Sequence, residues 1–138
     1  MTETDPLSLA RDILRAQPFS RLVGADVRAF GDGGATLELP IREELRQQNG
    51  FVHGGVLSYA ADNALTFAAG TVLGAAVLTA GYSIDYVRPA VGVTLLARAE
   101  VLHAGRRQAV VRCELLTVDE DGEETLCALA QGTVRAVG

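Results

Sequence analysis

The chain has 138 residues, 49% of them hydrophobic and 21% charged, a balance that suits one globular domain with a sizeable core. The formal net charge is −5 and all 12 basic residues are arginine, which argues against a general nucleic-acid binder, since that class needs a basic face. The acidic opening, Met-Thr-Glu-Thr-Asp-Pro, lacks an apolar signal core, so cytoplasmic residence is expected. There Cys113 and Cys127, which form no metal spacing, would stay reduced and buried.

Residues 6–17 are predicted to form a short amphipathic helix with Leu7, Leu9, Ile13 and Leu14 on one side, ended by Pro18. Residues 19–24 read as irregular or as a further turn. Residues 25–30 and 35–40 alternate as strands, joined by the hairpin cluster Gly31-Asp32-Gly33-Gly34. A phosphate-cradling loop is the rival there, but the Thr-Leu-Glu-Leu that follows alternates like a strand instead of opening a helix. Residues 42–48 are polar, with room for one helical turn.

Residues 47–70 organise the rest of the chain. Asn49-Gly50 is a strong turn signal, because both residues tolerate positive φ. Residues 56–73 contain no proline and are rich in Ala and Leu, so a long helix is predicted, ending near Gly74. It is apolar on nearly every face and should be buried, with Ala60, Ala61, Ala64, Ala68 and Ala69 allowing a sheet to approach closely. Asp62, Asn63 and the many small residues argue against a membrane span. Asp62 is the one charge in the run, and a carboxylate there is costly unless it is paired, protonated or facing a cleft. At the helix start, His53-Gly54-Gly55 leaves the first N–H groups sterically open, with the dipole adding partial positive charge. The two features stand about two turns apart, roughly 11 Å, too far to serve one reacting carbon within one chain. A homodimer could bring the helix start of one subunit to the carboxylate of the other.

Three long strands and a fourth complete the chain: residues 75–88, 93–103, 107–118 and 125–136. The hairpin at 119–124 contains Asp-x-Asp-Gly but no flanking helices, so it reads as a solvated turn and not a calcium loop. Helix crossovers between successive strands are missing, which argues against a doubly wound fold. An antiparallel sheet curled around a single helix satisfies the order.

This order resembles the hotdog-fold acyl-CoA thioesterases, and most closely the phenylacetic-acid-degradation (PaaI-like) and 4-hydroxybenzoyl-CoA thioesterase group. The resemblance runs from about residue 19 to 136. It rests on Asn49-Gly50, on His53-Gly54-Gly55 with an Asp nine residues after the His, on Tyr86-Val87-Arg88-Pro89-Ala90 and on Gly105-Arg106. It implies an α+β hotdog fold of five to six antiparallel strands wrapped around one long buried helix. It further implies a single domain over 1–138, with 1–18 as an N-terminal helical segment, and hydrolysis of an acyl- or aryl-CoA thioester to acid and CoA. No metal or redox cofactor, nucleic acid or membrane is implied, and the expected assembly is a homodimer or a homotetramer made of two dimers. By the same resemblance Asp62 falls at the catalytic carboxylate and Gly54 at the N–H that binds the thioester oxygen, with His53 before it. Gln47 falls where members carry Asn or Gln, Thr66 at a supporting hydroxyl, and Thr79 at a Ser/Thr position that helps place water. Asn49, Gly55, Arg88, Arg106 and Arg107 complete the expected substrate-binding set, the arginines toward the phosphates of CoA.

The chemistry fits the residues themselves. A helix-terminal N–H can hold a developing oxyanion, and a carboxylate can activate water or attack directly, and the sequence leaves these two routes open. Each assignment has a structural rival. Asp62 could be a bonded structural acid, Gly54 and Gly55 packing devices, His53 a cap, Gln47 a loop brace, Thr66 an i−4 backbone-bonded hydroxyl and Thr79 a plain strand residue. The three arginines could be solvated strand ends. Phe51, Tyr59, Phe67 and Tyr82 are candidates for pocket lining or for ordinary core. A non-catalytic acyl-CoA binding or sensing module is the alternative function. A hotdog hydratase or dehydratase ranks below it, because the only other histidine is His103.

Overall fold

The protein is described by a computed structural model covering residues 5–137. In chain order it contains α1 (Pro6–Arg15), α2 (Pro18–Val23), β1 (Asp26–Gly31), β2 (Gly34–Pro40), a 3-10 turn (Glu43–Leu45), α3 (Gly54–Leu73), β3 (Val77–Tyr86), β4 (Thr94–Ala104), β5 (Gln108–Val118) and β6 (Glu124–Ala136). The strands form one six-stranded sheet in the order β1-β2-β4-β5-β6-β3, with every neighbouring pair antiparallel. The sheet wraps α3, which touches all six strands. This is the hotdog arrangement expected from the sequence.

Alternation sets which face of each strand is inside. In β5, Ala109, Val111, Cys113 and Leu115 are fully buried, while Gln108 and Arg112 face solvent. Irregularities of register at 27/29, 79/81, 101/103 and 115/116 bend the strands, and β-bulges of this kind let a sheet curl around a helix. On α3, Ala60, Ala61, Ala64, Ala68 and Ala69 are all at 0% exposure, so the sheet packs onto the helix backbone, and the run that raised the question of a membrane span is a core helix. The β1–β2 turn has both Asp32 (φ 53°) and Gly33 (φ 80°) in the left-handed region, as a tight hairpin turn requires. The Gly33 N–H donates to Thr71 Oγ1 at 2.9 Å, tying this hairpin to the C-terminal end of α3. Cys113 and Cys127 are fully buried, and burial pushes their thiols up to about 12 and about 11. Both are core residues with unreactive thiols.

Two local expectations change. The stretch after Pro18 is a helix of its own, started by Pro18 in its first turn and closed by Gly24 in the left-handed conformation (φ 82°). On α1 the buried residues are Ala10 and Leu14, whereas Leu9 and Ile13 remain 51% and 46% exposed. Contacts with β1 fix the rotation of α1: Arg11 Nε donates to the Val27 carbonyl at 2.9 Å and Arg15 pairs with Asp26 at 2.7 Å. That rotation turns Leu9 and Ile13 away from the core.

The bulge in β3 also determines a glycine on β6. A Cβ on Gly132 would lie 2.5 Å from both the Gly81 carbonyl oxygen and the Tyr82 Cβ, closer than real contacts allow. Gly132→Ala is therefore expected to push the edge strand away at a cost of about 2 kcal/mol, seen as a lower midpoint of thermal unfolding. An unchanged midpoint would mean that β3 is not held in this register.

Candidate active site

The helix start is built by its preceding loop. Gln47 N–H donates to the Phe51 carbonyl at 2.8 Å, Gly50 N–H to the Gln47 carbonyl at 3.0 Å, and the Gln47 side-chain oxygen accepts from the Asn49 N–H. Gly50, at φ 87°, makes the turn possible. Gln47 and Asn49 thus brace the loop, and Gln47 also lines a cleft of about 320 Å³ with Phe51, Gly54, Tyr86 and Arg88.

His53 caps α3: its Nδ1 accepts from the Gly55 N–H at 2.9 Å, which leaves its own proton on Nε2. Gly55 is small for this reason, since a Cβ there would sit 3.0 Å from that nitrogen. The N–H groups of the turn are consumed in order. That of His53 goes to Leu45 O at 2.8 Å, that of Gly55 to His53, and those of Val56 and Leu57 to His53 O at 2.9 and 3.4 Å. Among the described residues the Gly54 N–H alone in this turn has no partner. Gly55, expected on the substrate side, has its N–H occupied by the cap.

Tyr86, at the end of β3, covers Gly54. Its hydroxyl donates to the Gly54 carbonyl at 3.0 Å, and its ring lies 3.5 Å from where a Cβ would be. Two turns along the helix, the Asp62 carboxylate is half-buried and its Oδ1 accepts from the Thr79 hydroxyl at 2.6 Å. Thr66 Oγ1 donates to the Asp62 carbonyl at 2.8 Å and lies 2.9 Å from Thr79 Oγ1, so the i−4 backbone bond and a contact with the residue that holds the carboxylate coexist. Among the described residues Asp62 Oδ2 has no partner. The bulge between Thr79 and Gly81 makes this possible, because the extra residue puts Thr79 on the same face of β3 as Tyr82, Ile84 and Tyr86 despite the odd spacing.

Gly54, Ser58, Asp62 and Thr66 therefore form one helix face at i+4 intervals, matched on β3 by hydroxyls of Tyr86, Tyr82 and Thr79. The sequence reading missed Tyr86 and Ser58 as site contacts. Their signal was available as the i+4 ladder through Gly54 and Asp62 and the Tyr82-x-Ile84-x-Tyr86 alternation.

The remaining candidates separate. Arg88 stands at the Gly54 cleft, with one Nη donating to the Leu126 carbonyl at 2.9 Å and the side chain otherwise exposed. Arg106 and Arg107 lie on the β4–β5 hairpin, where Arg107 O accepts from Ala136 N–H at 2.8 Å. That is the opposite end of the sheet from Tyr86, about 30 Å away along β3 at ~3.3 Å per residue, so one protomer does not bring them to Gly54. Of the aromatic candidates, Phe51 lines the Gly54 cleft and Phe67 a second cavity. Tyr59 is half-buried and packs against the core. Its ring packs edge-on against Phe19 at 5.3 Å, its hydroxyl donates to the buried Ser20 at 2.6 Å, and burial raises its pKa above the usual tyrosine range.

A six-stranded antiparallel sheet wrapped around one long helix defines a hotdog domain, and its central helix carries a free N–H at its start and an oriented carboxylate two turns on. Residues 49–124 match the family model of the thioesterase superfamily. A thioesterase family protein from Silicibacter pomeroyi superposes with a TM-score of 0.89 at 30% identity, over 97% of this chain and 100% of that one. The phenylacetic acid degradation protein PaaI from Thermus thermophilus superposes at 0.76 and 30% identity, over 88% of this chain and 100% of its own. The acyl-coenzyme A thioesterase PaaI of Escherichia coli is 27% identical over 120 residues, 86% of this chain and 82% of that one. The chain belongs to the thioesterase superfamily, as a PaaI-like hotdog thioester hydrolase.

Proposed function

We propose that the protein hydrolyses acyl-CoA thioesters to the free acid and CoA, at sites formed between two subunits. The observation that carries this reading is the pairing of two unsatisfied groups on one helix face: the Gly54 N–H and Asp62 Oδ2. They are eight residues apart, about 12 Å at ~1.5 Å per residue, so one chain cannot apply both to one carbonyl carbon. The unpaired edge strand β3, with exposed Leu78 and Tyr86, supports association, since such edges are normally covered. Antiparallel pairing about a twofold axis near Ser58 would set Gly54 of one subunit opposite Asp62 of the other, twice per dimer. Two such dimers would make the homotetramer.

In this reading the thioester oxygen accepts from the Gly54 N–H, at the positive end of α3. Asp62, with Oδ1 held by Thr79, presents Oδ2 to the substrate. It takes a proton from water as that water attacks the carbonyl carbon, or attacks directly to give an anhydride that water then opens. In the first route the tetrahedral intermediate collapses with cleavage of the C–S bond, and the proton passes from Asp62 to the CoA sulfur. His53 and Gln47 hold the helix start in place. Arg88, at the mouth of the same cleft, suits a CoA phosphate, and Arg106 and Arg107, which lie toward the Thr79 end of β3, would approach the shared site from the subunit that supplies Asp62.

The test is thiol release measured with Ellman's reagent over phenylacetyl-, benzoyl-, hydroxybenzoyl-, hexanoyl-, decanoyl- and palmitoyl-CoA. Turnover of at least one thioester is expected. Tight binding of these thioesters without release of thiol would replace the enzyme by a binding module.

A further inference from the structure

A second cavity, of about 390 Å³, lies between α1, α3 and the two edge strands of the sheet, with Leu9 and Ile13 on one wall and Val77 and Thr66 on the other. Phe30 and Phe67 meet edge-to-face across it, with ring centroids 6.3 Å apart. We infer that this cavity receives the acyl part of the substrate, that the group it takes is an uncharged apolar chain, and that Gly70 sets its depth. The inference rests on the thioesterase reading above and extends it to the identity of the acyl group.

Three observations carry it. The cavity joins the proposed reaction centre through Thr66, which lines it and is hydrogen-bonded to Thr79, the residue that holds Asp62. A chain leaving a carbonyl at Asp62 thus enters the cavity beside Thr66. Second, among the described residues no charged side chain lines the cavity; its polar groups there are Gln17, Asn63 and Thr66. A carboxylate at the far end of an acyl group would lose its hydration there without gaining a partner.

The third observation is Gly70 itself. It sits within α3, where glycine disfavours helix by comparison with alanine, and its backbone is not in the left-handed region. A Cβ there would meet nothing within 4 Å. Neither backbone conformation nor packing in the protomer requires a glycine at this place, and the space above it is the cavity. Lining residues from Asn63 to Gly70 extend about 10 Å along α3, the length of a medium alkyl chain. The exposure of Leu9 and Ile13, unexplained by the core, then has a purpose as the wall that α1 contributes.

The experiment uses non-hydrolysable S-alkyl-CoA thioethers, so that it reads the cavity whether or not any thioester turns over. S-ethyl-, S-hexyl- and S-decyl-CoA, and an S-alkyl-CoA of hexyl length ending in a carboxylate, are titrated calorimetrically into the full chain. The proteins are the wild type, Gly70→Ala and Gly70→Leu, with folding checked by circular dichroism and assembly by size-exclusion chromatography. The wild type is expected to bind S-decyl-CoA at least tenfold more tightly than S-ethyl-CoA and to gain nothing from the carboxylate-ended chain. That tenfold ratio should fall stepwise in Gly70→Ala and Gly70→Leu, with the decanoyl-to-hexanoyl ratio of kcat/KM falling in parallel. An identical chain-length ratio in the wild type and Gly70→Leu would overturn the inference. So would an unchanged ratio accompanied by altered assembly, which would assign the cavity to a subunit contact. A wild type that shows the chain-length preference but hydrolyses no thioester would refute the enzymatic reading and leave this one standing.

Discussion

Asp62→Asn is expected to lower kcat by about 10³-fold while leaving the fold intact, since a positioned carboxylate base contributes roughly 10²–10⁴ and a carboxylate nucleophile cannot be replaced by an amide. The structural side is mild. The amide oxygen of Asn can still accept the Thr79 hydroxyl that Asp62 Oδ1 accepts at 2.6 Å, and the residue is only half-buried. Thiol release under saturating substrate, measured beside a thermal melt, separates the two effects. A variant that melts with the wild type but turns over a thousandfold more slowly places the carboxylate in the chemistry. Activity within about tenfold of wild type would remove Asp62 from the mechanism and with it the proposed division of labour between subunits.

Gly54→Pro should cost about 10²–10³ in kcat, the usual effect of losing one oxyanion donor, worth about 3–4 kcal/mol. Proline deletes the N–H and little else at this position. Gly54 is the first residue of α3, where proline is well accommodated, and His53 before it has φ −59° and ψ 134°, the extended conformation that a residue preceding proline prefers. The place of the added Cβ is 3.5 Å from the Tyr86 ring, an ordinary contact. An unaltered melting midpoint with a large fall in kcat is the expected result, and normal turnover would show that another donor holds the oxyanion. Combining the two variants tests the shared site. When Asp62→Asn and Gly54→Pro chains are unfolded together and refolded, each mixed dimer has one site with both groups intact and one with neither. Random twofold pairing then restores about a quarter of wild-type activity. Sites contained within one chain would give no recovery.

Much of the fold was legible because the signals that specify it are local. The largely apolar run from Val56 to Leu73 pointed to a core helix, and every alanine expected to admit the sheet is fully buried. The glycine clusters marked the turns, and all six strands fall within two residues of their expected bounds at either end. The likeness of His53-Gly54-Gly55 and Asp62 to a thioesterase pattern was legible for the same reason, since their spacing lies along one helix.

What the sequence by itself determined is therefore the central helix, the polarity of its start, the carboxylate two turns along it and the family to which these belong. Tertiary structure decided which groups meet them. Thr79 reaches Asp62 only because a bulge in β3 reverses the face of one residue, and Tyr86 reaches Gly54 only because β3 crosses to the far edge of the sheet and runs back along α3. The same strand order carries Arg106 and Arg107 to the end remote from Gly54, and the pairing of α1 with β1 turns Leu9 and Ile13 toward a cavity instead of the core. Helical spacing repeats every 3.6 residues and can be read within a window of the chain, whereas register, strand order and helix rotation arise from contacts between residues distant in sequence, which no local pattern encodes.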